Sequence, residues 1–253
     1  QGWKLSVQSY TFHRFTLVEA IDKANELGVK YMEVYPKHKL GGDFGDYAFN
    51  YELTKEQRKA IMDYAKSKNV KLISTGVLVP KKDELEKIFA FAQDMGMEFI
   101  SAEPDRNDWD LVEELAIKYN IKVATHNHPS EKSYWKPEVL LEHIQNRSNL
   151  LGSSCDVGHF KRMGKDPIEC IKELKGRIIS LHFKDLTPKG NKFEDVIWGE
   201  GVLNMKEILK ELKRQKFKGY FTIEYEAEWN NNMPHIKKSI ENFNKTIAEI
   251  NQL

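Results

Sequence analysis

Residues 177–185 read Arg-Ile-Ile-Ser-Leu-His-Phe-Lys-Asp, a β-rich run that ends in polar residues. Side chains on a strand alternate between its two faces. One face carries Ile179, Leu181 and Phe183, and the other carries Ser180, His182 and Lys184. We expect the apolar face to pack against helices. The polar face, with His182 and Lys184 near its end, then points to the opposite side of the sheet.

Similar short runs recur along the whole chain, and amphipathic helical patterns separate them. The predicted strands are residues 5–10, 30–35, 70–75, 98–103, 121–127, 150–156, 177–183 and 220–224. Between them, apolar residues recur at the helical spacing i, i+3, i+4, i+7, as in residues 17–24 and 236–247. The chain therefore alternates strand and helix from one end to the other.

Helix boundaries agree with this alternation. Gly28, Gly96 and Gly219 lie where helices should end before strands, and Asp166-Pro167 and Lys136-Pro137 lie where helices should begin. Eight strands alternating with eight helices predict a single (β/α)8 TIM barrel that spans residues 1–253 as one domain. We disfavour the rival, a doubly wound open sheet, because no Gly-rich phosphate turn follows any strand.

Composition excludes several classes of protein. The chain has 253 residues, 40% of them hydrophobic, and a formal net charge of +1, so bulk charge gives no argument for nucleic acid binding. No apolar run approaches the roughly 18–20 residues of a membrane span. The chain starts Gln1-Gly2-Trp3 without Met, which fits either a removed export signal or a shortened chain. An exported, periplasmic location and a cytoplasmic one therefore both stay open.

Polar residues collect where the predicted strands end. These residues are Glu33, Glu103, His126, His128, Asp156, His159, His182, Lys184 and Glu224. In a TIM barrel the carboxyl ends of all strands meet at one face, which is where the active site lies. Burying this many ionisable groups together is costly unless a bound cation balances their charge.

Strand parity identifies the candidate metal ligands. Asp156, His182 and Glu224 point inward on three successive strands, and His126 on the preceding strand is a candidate fourth ligand. Such a mixed nitrogen and oxygen set suits Mn²⁺, Zn²⁺, Co²⁺ or Mg²⁺. Taken singly, a strand-end His is more often a hydrogen-bonded core residue, and a strand-end Asp more often caps a helix. Three on consecutive strands favour a divalent metal site.

Four motifs resemble the xylose-isomerase-like TIM-barrel superfamily. They are Asp156-Val157-Gly158-His159, Ile179-Ser180-Leu181-His182-Phe183-Lys184-Asp185, Gly199-Glu200-Gly201 and Phe221-Thr222-Ile223-Glu224. That group contains sugar isomerases, ketose 3-epimerases, inosose dehydratases and metal-dependent apurinic endonucleases. Its epimerase-like members hold one metal with Glu, Asp, His and Glu. The last three carry over to Asp156, His182 and Glu224, but the first falls where this chain has His126.

The resemblance implies a metal-dependent sugar isomerase or epimerase that works through an enediolate. Glu224 is then ligand and base, and Glu103 or His126 is the partner acid. Lys184 would steady the developing oxyanion charge. Because His126 replaces a carboxylate, a lyase or hydratase acting on a keto-sugar or inosose is the alternative.

The remaining expectations concern the substrate and partners. His159, His128 and Glu33 are expected to bind a small-molecule sugar. An endonuclease is disfavoured, because residues 193–198 lack the Asp-x-His pair of that class. A non-catalytic barrel is disfavoured by its costly polar strand ends. We expect no nucleic acid or membrane partner, and relatives often pair as homo-oligomers. Three other histidines, His13, His38 and His143, are assigned to surface or loop positions.

Overall fold

The computed structural model describes residues 2–252, and its parallel strands close into a barrel. The eight barrel strands are β1 (Lys4–Gln8), β2 (Tyr31–Val34), β3 (Lys71–Leu78), β4 (Phe99–Ala102), β5 (Lys122–His126), β6 (Leu151–Asp156), β7 (Ile178–Phe183) and β10 (Tyr220–Ile223). Neighbours around the barrel run β1-β10-β7-β6-β5-β4-β3-β2. The predicted (β/α)8 barrel and all eight of its strands are confirmed.

Helices surround the barrel. They are α1 (Leu17–Glu26), α2 (Lys55–Ser67), α3 (Leu85–Asp94), α4 (Trp109–Tyr119), α5 (Pro137–Ile144), α6 (Val157–Arg162), α7 (Pro167–Glu173), α8 (Met205–Arg214) and α9 (Met233–Asn251). The described residues thus form nine α-helices instead of the eight expected. The extra one is the short α6, which begins directly after β6 because the Asp156 carboxylate caps it. The starts of α5 and α7 at Pro137 and Pro167 are as predicted.

A β-hairpin that the sequence pattern did not predict lies between β7 and α8. Its strands are β8 (Leu186–Lys189) and β9 (Lys192–Asp195), paired antiparallel. The Asp185 carboxylate holds the segment that follows, since its Oδ2 accepts hydrogen bonds from the amides of Gly199 and Gly201 at 2.8 and 2.9 Å. A Cβ on Gly201 would lie 2.3 Å from Asp185 Oδ1, so this close approach requires glycine.

Two apolar cores hold the barrel together. The large one packs strand side chains such as Phe183 and Phe221 against helices, and the small one fills the barrel interior near the strand starts. The small core consists of Ile73, Phe99, Ala124 and Tyr220, with Ile179 packed against it. The expectation that Ile179 faces the helices is therefore wrong. The reason is a register shift, in which Ser153 pairs with Ile178 but Ser154 pairs with Ser180.

Among residues 2–252, no helix is long and apolar enough to cross a membrane. Trp109 and Trp198 are buried in the large core. His38 lies in the loop after β2, as the sequence predicted, and is buried there with its ring nitrogens against Ser9 Oγ and the Phe15 carbonyl.

Candidate metal centre

Asp156 lies at the last position of β6 and is completely buried. Its Oδ1 accepts a hydrogen bond from the amide of His159 at 2.7 Å, which caps α6. The Asn127 side chain holds the Asp156 backbone through two hydrogen bonds. Its Oδ1 accepts from the Asp156 amide at 2.8 Å, and its Nδ2 donates to the Asp156 carbonyl at 3.0 Å. These contacts leave Asp156 Oδ2 buried with no hydrogen-bond partner. A buried carboxylate oxygen without a hydrogen bond is costly, so it marks a position where a ligand belongs.

His126 ends β5 beside Asp156 and is also buried. Its Nδ1 lies 3.4 Å from Glu103 Oε1, and its Nε2 lies 3.7 Å from Asp156 Oδ2. This Nε2 is the second buried atom of the site that has no hydrogen-bond partner. The two orphaned atoms therefore face each other across a short gap.

His182 and Glu224 complete the site from β7 and the end of β10. His182 Nδ1 lies 3.1 Å from Glu224 Oε2, and His182 Nε2 lies 2.8 Å from Glu33 Oε1. Glu33 has no exposed surface, and Gln8 and Ser74 also donate hydrogen bonds to its carboxylate. Because it is enclosed in this way, Glu33 supports the His182 ring from within the barrel.

The amine of Lys184 is buried among carboxylates. Its Nζ lies 2.8 Å from Glu224 Oε2 and 3.4 Å from Asp156 Oδ2, and it also contacts Glu226. Burial acts to lower the pKa of Lys184, but these three carboxylates outweigh it and hold the pKa well above its usual value. Lys184 is therefore a fixed positive charge at the edge of the site.

Electrostatics in this group match a site built for added positive charge. Burial opposes ionisation of Glu224, yet Lys184 and His182 hold its pKa well below the usual range. Burial also opposes protonation of His182, yet Glu224 and Glu33 hold its pKa well above the usual value. The carboxylates of Glu224 and Glu33 thus favour the protonated form of the imidazole between them.

The residues present fit a divalent cation. The candidate ligand atoms of His126, Asp156, His182 and Glu224 all lie within 4.8 Å of one another, and all four side chains are buried. Two imidazoles and two carboxylates form the mixed donor set that suits Zn²⁺, Mn²⁺ or Co²⁺. The two orphaned atoms described above belong to this set. These four residues are the ones that strand parity singled out.

The other predicted site residues lie around this quartet. Glu103 Oε1 accepts from the backbone amide of His128 at 3.0 Å and lies 2.6 Å from His128 Nδ1, besides its contact with His126. The His128 side chain is 46% exposed, so it faces the open mouth of the barrel. His159 Nε2 lies 3.6 Å from Asp156 Oδ2, whereas the backbone amide of the same residue donates to Asp156 Oδ1.

Several residues that contact the site were not assigned to it from the sequence, including Gln8, Glu226 and Arg162. Gln8 holds Glu33, Glu226 contacts Lys184, and Arg162 contacts His159. Simple spacing could have found two of them. Glu226 lies two residues after Glu224, and Arg162 lies three residues after His159 on the same helix, where side chains are neighbours.

The fold and the site together define a (β/α)8 barrel with a candidate metal centre at its strand ends. The xylose isomerase-like TIM barrel family matches residues 21–246. The chain belongs to this family, whose members include sugar-processing isomerases, epimerases and dehydratases.

Individual relatives agree with this assignment. An uncharacterized protein from Parabacteroides distasonis, known from a crystal structure, is 38% identical in sequence to this chain, and the two structures match with a TM-score of 0.79. The match covers 95% of this chain and 98% of that protein's chain. The inosose dehydratase of Lactiplantibacillus plantarum is 26% identical over 130 residues, 46% of this chain and 43% of that protein. The chain spans about half the length of the curated relatives it matches.

A crystal structure of the IolI protein with a bound zinc atom has a TM-score of 0.75 and covers 98% of this chain and 97% of that one. Its sequence identity is 17%, so it shows the shared fold alone.

Proposed function

We propose that this chain is a divalent-metal enzyme that removes the proton beside the carbonyl of a keto-sugar or a related polyhydroxy ketone. The observation that carries the proposal is the buried quartet of His126, Asp156, His182 and Glu224 with its two orphaned atoms. The zinc atom in the IolI protein supports a metal in this fold. The named relative, an inosose dehydratase, supports a polyhydroxy ketone as the substrate class.

The cation would polarise adjacent substrate oxygens and stabilise the enediolate or enolate that forms when the proton leaves. Glu224 is the carboxylate of the quartet that would accept that proton. Lys184, 2.8 Å from Glu224 Oε2, holds the carboxylate in place and offers positive charge to a developing oxyanion. Glu103 acts through His126 by orienting its ring.

Isomerisation is the outcome we favour. A single base can move a proton between neighbouring carbons on one face of an enediol, whereas inversion at one carbon needs acid–base groups on both faces. The β5 position that carries a second carboxylate in epimerase-like relatives holds His126 here. Both nitrogens of His126 face other groups, since Nδ1 faces Glu103 and Nε2 faces Asp156. Glu224 is therefore the base that the quartet would supply, since its contacts with Lys184 and His182 are both made by Oε2.

Elimination is the second candidate, and one contact favours it. His128 is half exposed at the mouth and pairs with Glu103 at 2.6 Å, an arrangement suited to delivering a proton to a leaving oxygen. In that reaction Glu224 takes the proton beside the carbonyl. The bond from the neighbouring carbon to its oxygen breaks, and His128 protonates the departing oxygen, so water leaves with the electron pair of that bond.

Mass spectrometry of ketoses incubated in D2O separates the two outcomes. Isomerisation conserves the formula and adds one mass unit by exchange with solvent, whereas elimination loses one water. We expect His128→Gln to reduce elimination by about 100-fold, within the range typical of a general acid, and to spare exchange. Glu169→Gln, a surface carboxylate paired only with Lys172, is the matched control. A metal-loaded chain that neither exchanges nor eliminates on ketoses, inososes or 3-keto-sugars would refute the proposed function.

A further inference from the structure

Two imidazoles approach the same orphaned carboxylate oxygen. His126 Nε2 lies 3.7 Å from Asp156 Oδ2, and His159 Nε2 lies 3.6 Å from it. Both rings are buried, and their centroids are 5.4 Å apart. Residue type, burial and distance from Asp156 Oδ2 are therefore nearly the same for the two rings. What separates them is the group that each ring meets on its other nitrogen, Nδ1.

The Nδ1 of His126 meets a carboxylate. Glu103 Oε1 lies 3.4 Å away, and an ionised carboxylate only accepts hydrogen bonds. The hydrogen of a neutral His126 ring therefore belongs on Nδ1. Its Nε2 is left with a free lone pair, which is what a metal ligand requires.

The Nδ1 of His159 meets a guanidinium instead. Arg162 NH1 lies 3.0 Å away, and a guanidinium only donates hydrogen bonds. His159 Nδ1 must therefore be the acceptor and cannot carry a hydrogen. The ring hydrogen belongs on Nε2, which points toward Asp156. A nitrogen that carries a hydrogen has no lone pair to give to a cation.

Arg162 is itself held in place. Its NH2 donates to Asp195 Oδ1 at 2.6 Å, and Asp195 Oδ2 accepts from the backbone amide of Glu226 at 3.0 Å. The Asp195 side chain is only 1% exposed. Turning Arg162 away from His159 would leave a buried carboxylate without its cationic partner, which is strongly unfavourable. The hairpin strand β9, which ends at Asp195, thus anchors this arrangement.

We propose that Arg162 and Asp195 are positioning residues that fix His159 with its hydrogen on Nε2. His159 is thereby barred from the cation and becomes a hydrogen-bond donor to a substrate hydroxyl or carbonyl oxygen beside Asp156. The substrate part of this inference rests on the proposed function, but the position of the ring hydrogen does not. Arg162 lies three residues after His159 on α6, so a single short helix presents both groups.

Nitrogen NMR of ¹⁵N-histidine-labelled protein loaded with Zn²⁺ tests the inference without a substrate. A ring nitrogen that carries a hydrogen resonates far upfield of one that does not. We expect His159 to show its hydrogen on Nε2, and Arg162→Leu to shift it toward a mixture of the two forms. Arg162→Lys, which keeps a donor that cannot accept, should restore the wild-type pattern. A hydrogen on His159 Nδ1 in the unaltered protein would overturn the inference.

Zinc titration gives a second, independent readout. We expect His126→Gln to lower zinc affinity by more than about 10-fold, and His159→Gln to change it by less than about 3-fold. Equal losses in the two variants would show that His159 is a ligand and would overturn the inference. If the proposed ketone chemistry is found, Arg162→Leu should raise KM about 10-fold with kcat less affected. Absence of any turnover would count against the proposed function. The zinc titration and the NMR experiment would still test the position of the His159 ring hydrogen.

Discussion

The two sides of Asp156 contain the same ring at nearly the same distance, yet they are built for opposite tasks. On the β5 side, His126 is backed by Glu103, a hydrogen-bond acceptor. On the α6 side, His159 is backed by Arg162, a hydrogen-bond donor. The first ring is left with a lone pair toward the site and the second with a hydrogen. The comparison teaches that the partner behind a histidine, more than its distance from the site, decides what the histidine can do.

The two sides also differ in how the chain builds them. Glu103 and His126 come from neighbouring strands, β4 and β5, and lie 23 residues apart. His159 and Arg162 come from one short helix that Asp156 itself caps. A change in the capping residue therefore acts on the α6 side through the backbone as well as on the metal centre.

Removing the carboxylate shared by the two sides should have the largest effect. Asp156→Asn keeps one side-chain oxygen, which can still cap α6. It replaces the other oxygen with an NH2 group, which cannot bind a metal ion. We expect metal affinity to fall by more than about 100-fold, beyond the loss typical of an outer-shell change, while the fold is retained. Elemental analysis of protein purified without chelator measures the metal, and circular dichroism checks the fold. Metal content equal to that of the wild type would refute the centre.

Asp195, the anchor of the α6 side, should give a pH-dependent effect on stability. Burial raises the pKa of Asp195 to about 6 from its ordinary value of 3.8, although Lys184 and Arg162 act to lower it. The folded protein then retains a proton between about pH 4 and pH 6 that the unfolded chain has lost. Stability therefore falls as pH rises through this window and is level above it.

The size of this effect follows from the shift. One pKa unit corresponds to about 1.4 kcal/mol, so the Asp195 contribution changes by about 3 kcal/mol in total, of which about 2 kcal/mol falls between pH 4 and pH 6. We expect Asp195→Asn to remove this pH dependence. As pH rises, the unfolding free energy of the variant should therefore increase relative to that of the wild type, by up to the amount that Asp195 contributes. Urea unfolding at several pH values measures it. A constant difference between the two proteins would contradict the assigned pKa.

Glu103, the anchor of the β5 side, should tune the metal more gently than the ligand itself does. Glu103→Gln keeps the size of the side chain but replaces a pure acceptor with an amide that can also donate, so it no longer dictates where the His126 hydrogen lies. We expect metal affinity to fall by about 10- to 100-fold. Arg162→Lys, the matched change on the α6 side, should leave metal affinity within about 3-fold. Equal losses in these two variants would erase the proposed difference between the sides.

The smallest effect on metal binding should come from His128. It contacts the same Glu103 oxygen as His126 but is half exposed and has no contact with Asp156. We expect His128→Gln to change zinc affinity by less than about 3-fold, since Glu103 can still orient His126. A loss as large as that of Glu103→Gln would place His128 in the metal centre, since the possible ligand atoms of Glu103, His126 and His128 also lie within 4.8 Å of one another.

Much of the site followed from the pattern of residues alone. Strand parity brought His126, Asp156, His182 and Glu224 to one end of the barrel, and the structure places their ligand atoms together. Parity failed at Ile179, where a register shift between β6 and β7 turns the side chain into the barrel. Such a shift depends on how two strands pair, and neither strand records it in its own alternation.

The roles of the supporting residues required the folded chain. Glu33 was expected to meet the substrate, but it lies enclosed against His182, a residue 149 positions away in sequence. The burial of His38 within its loop also required the folded chain, since its ring nitrogens contact Ser9 Oγ and the Phe15 carbonyl, 29 and 23 positions away. Hydrogen-bond partners this distant leave no local pattern from which to read them.

The sequence by itself determined the alternation of strands and helices, the closed parallel barrel, and the end of the barrel where ionisable groups gather. These properties follow from periodicities of two and of about 3.6 residues, which are local and written directly in the chain. Only the tertiary structure decided which histidine beside Asp156 keeps a lone pair and which keeps a hydrogen. That choice depends on whether Glu103 or Arg162 stands behind the ring, and side-chain partners of this kind are selected by packing in three dimensions.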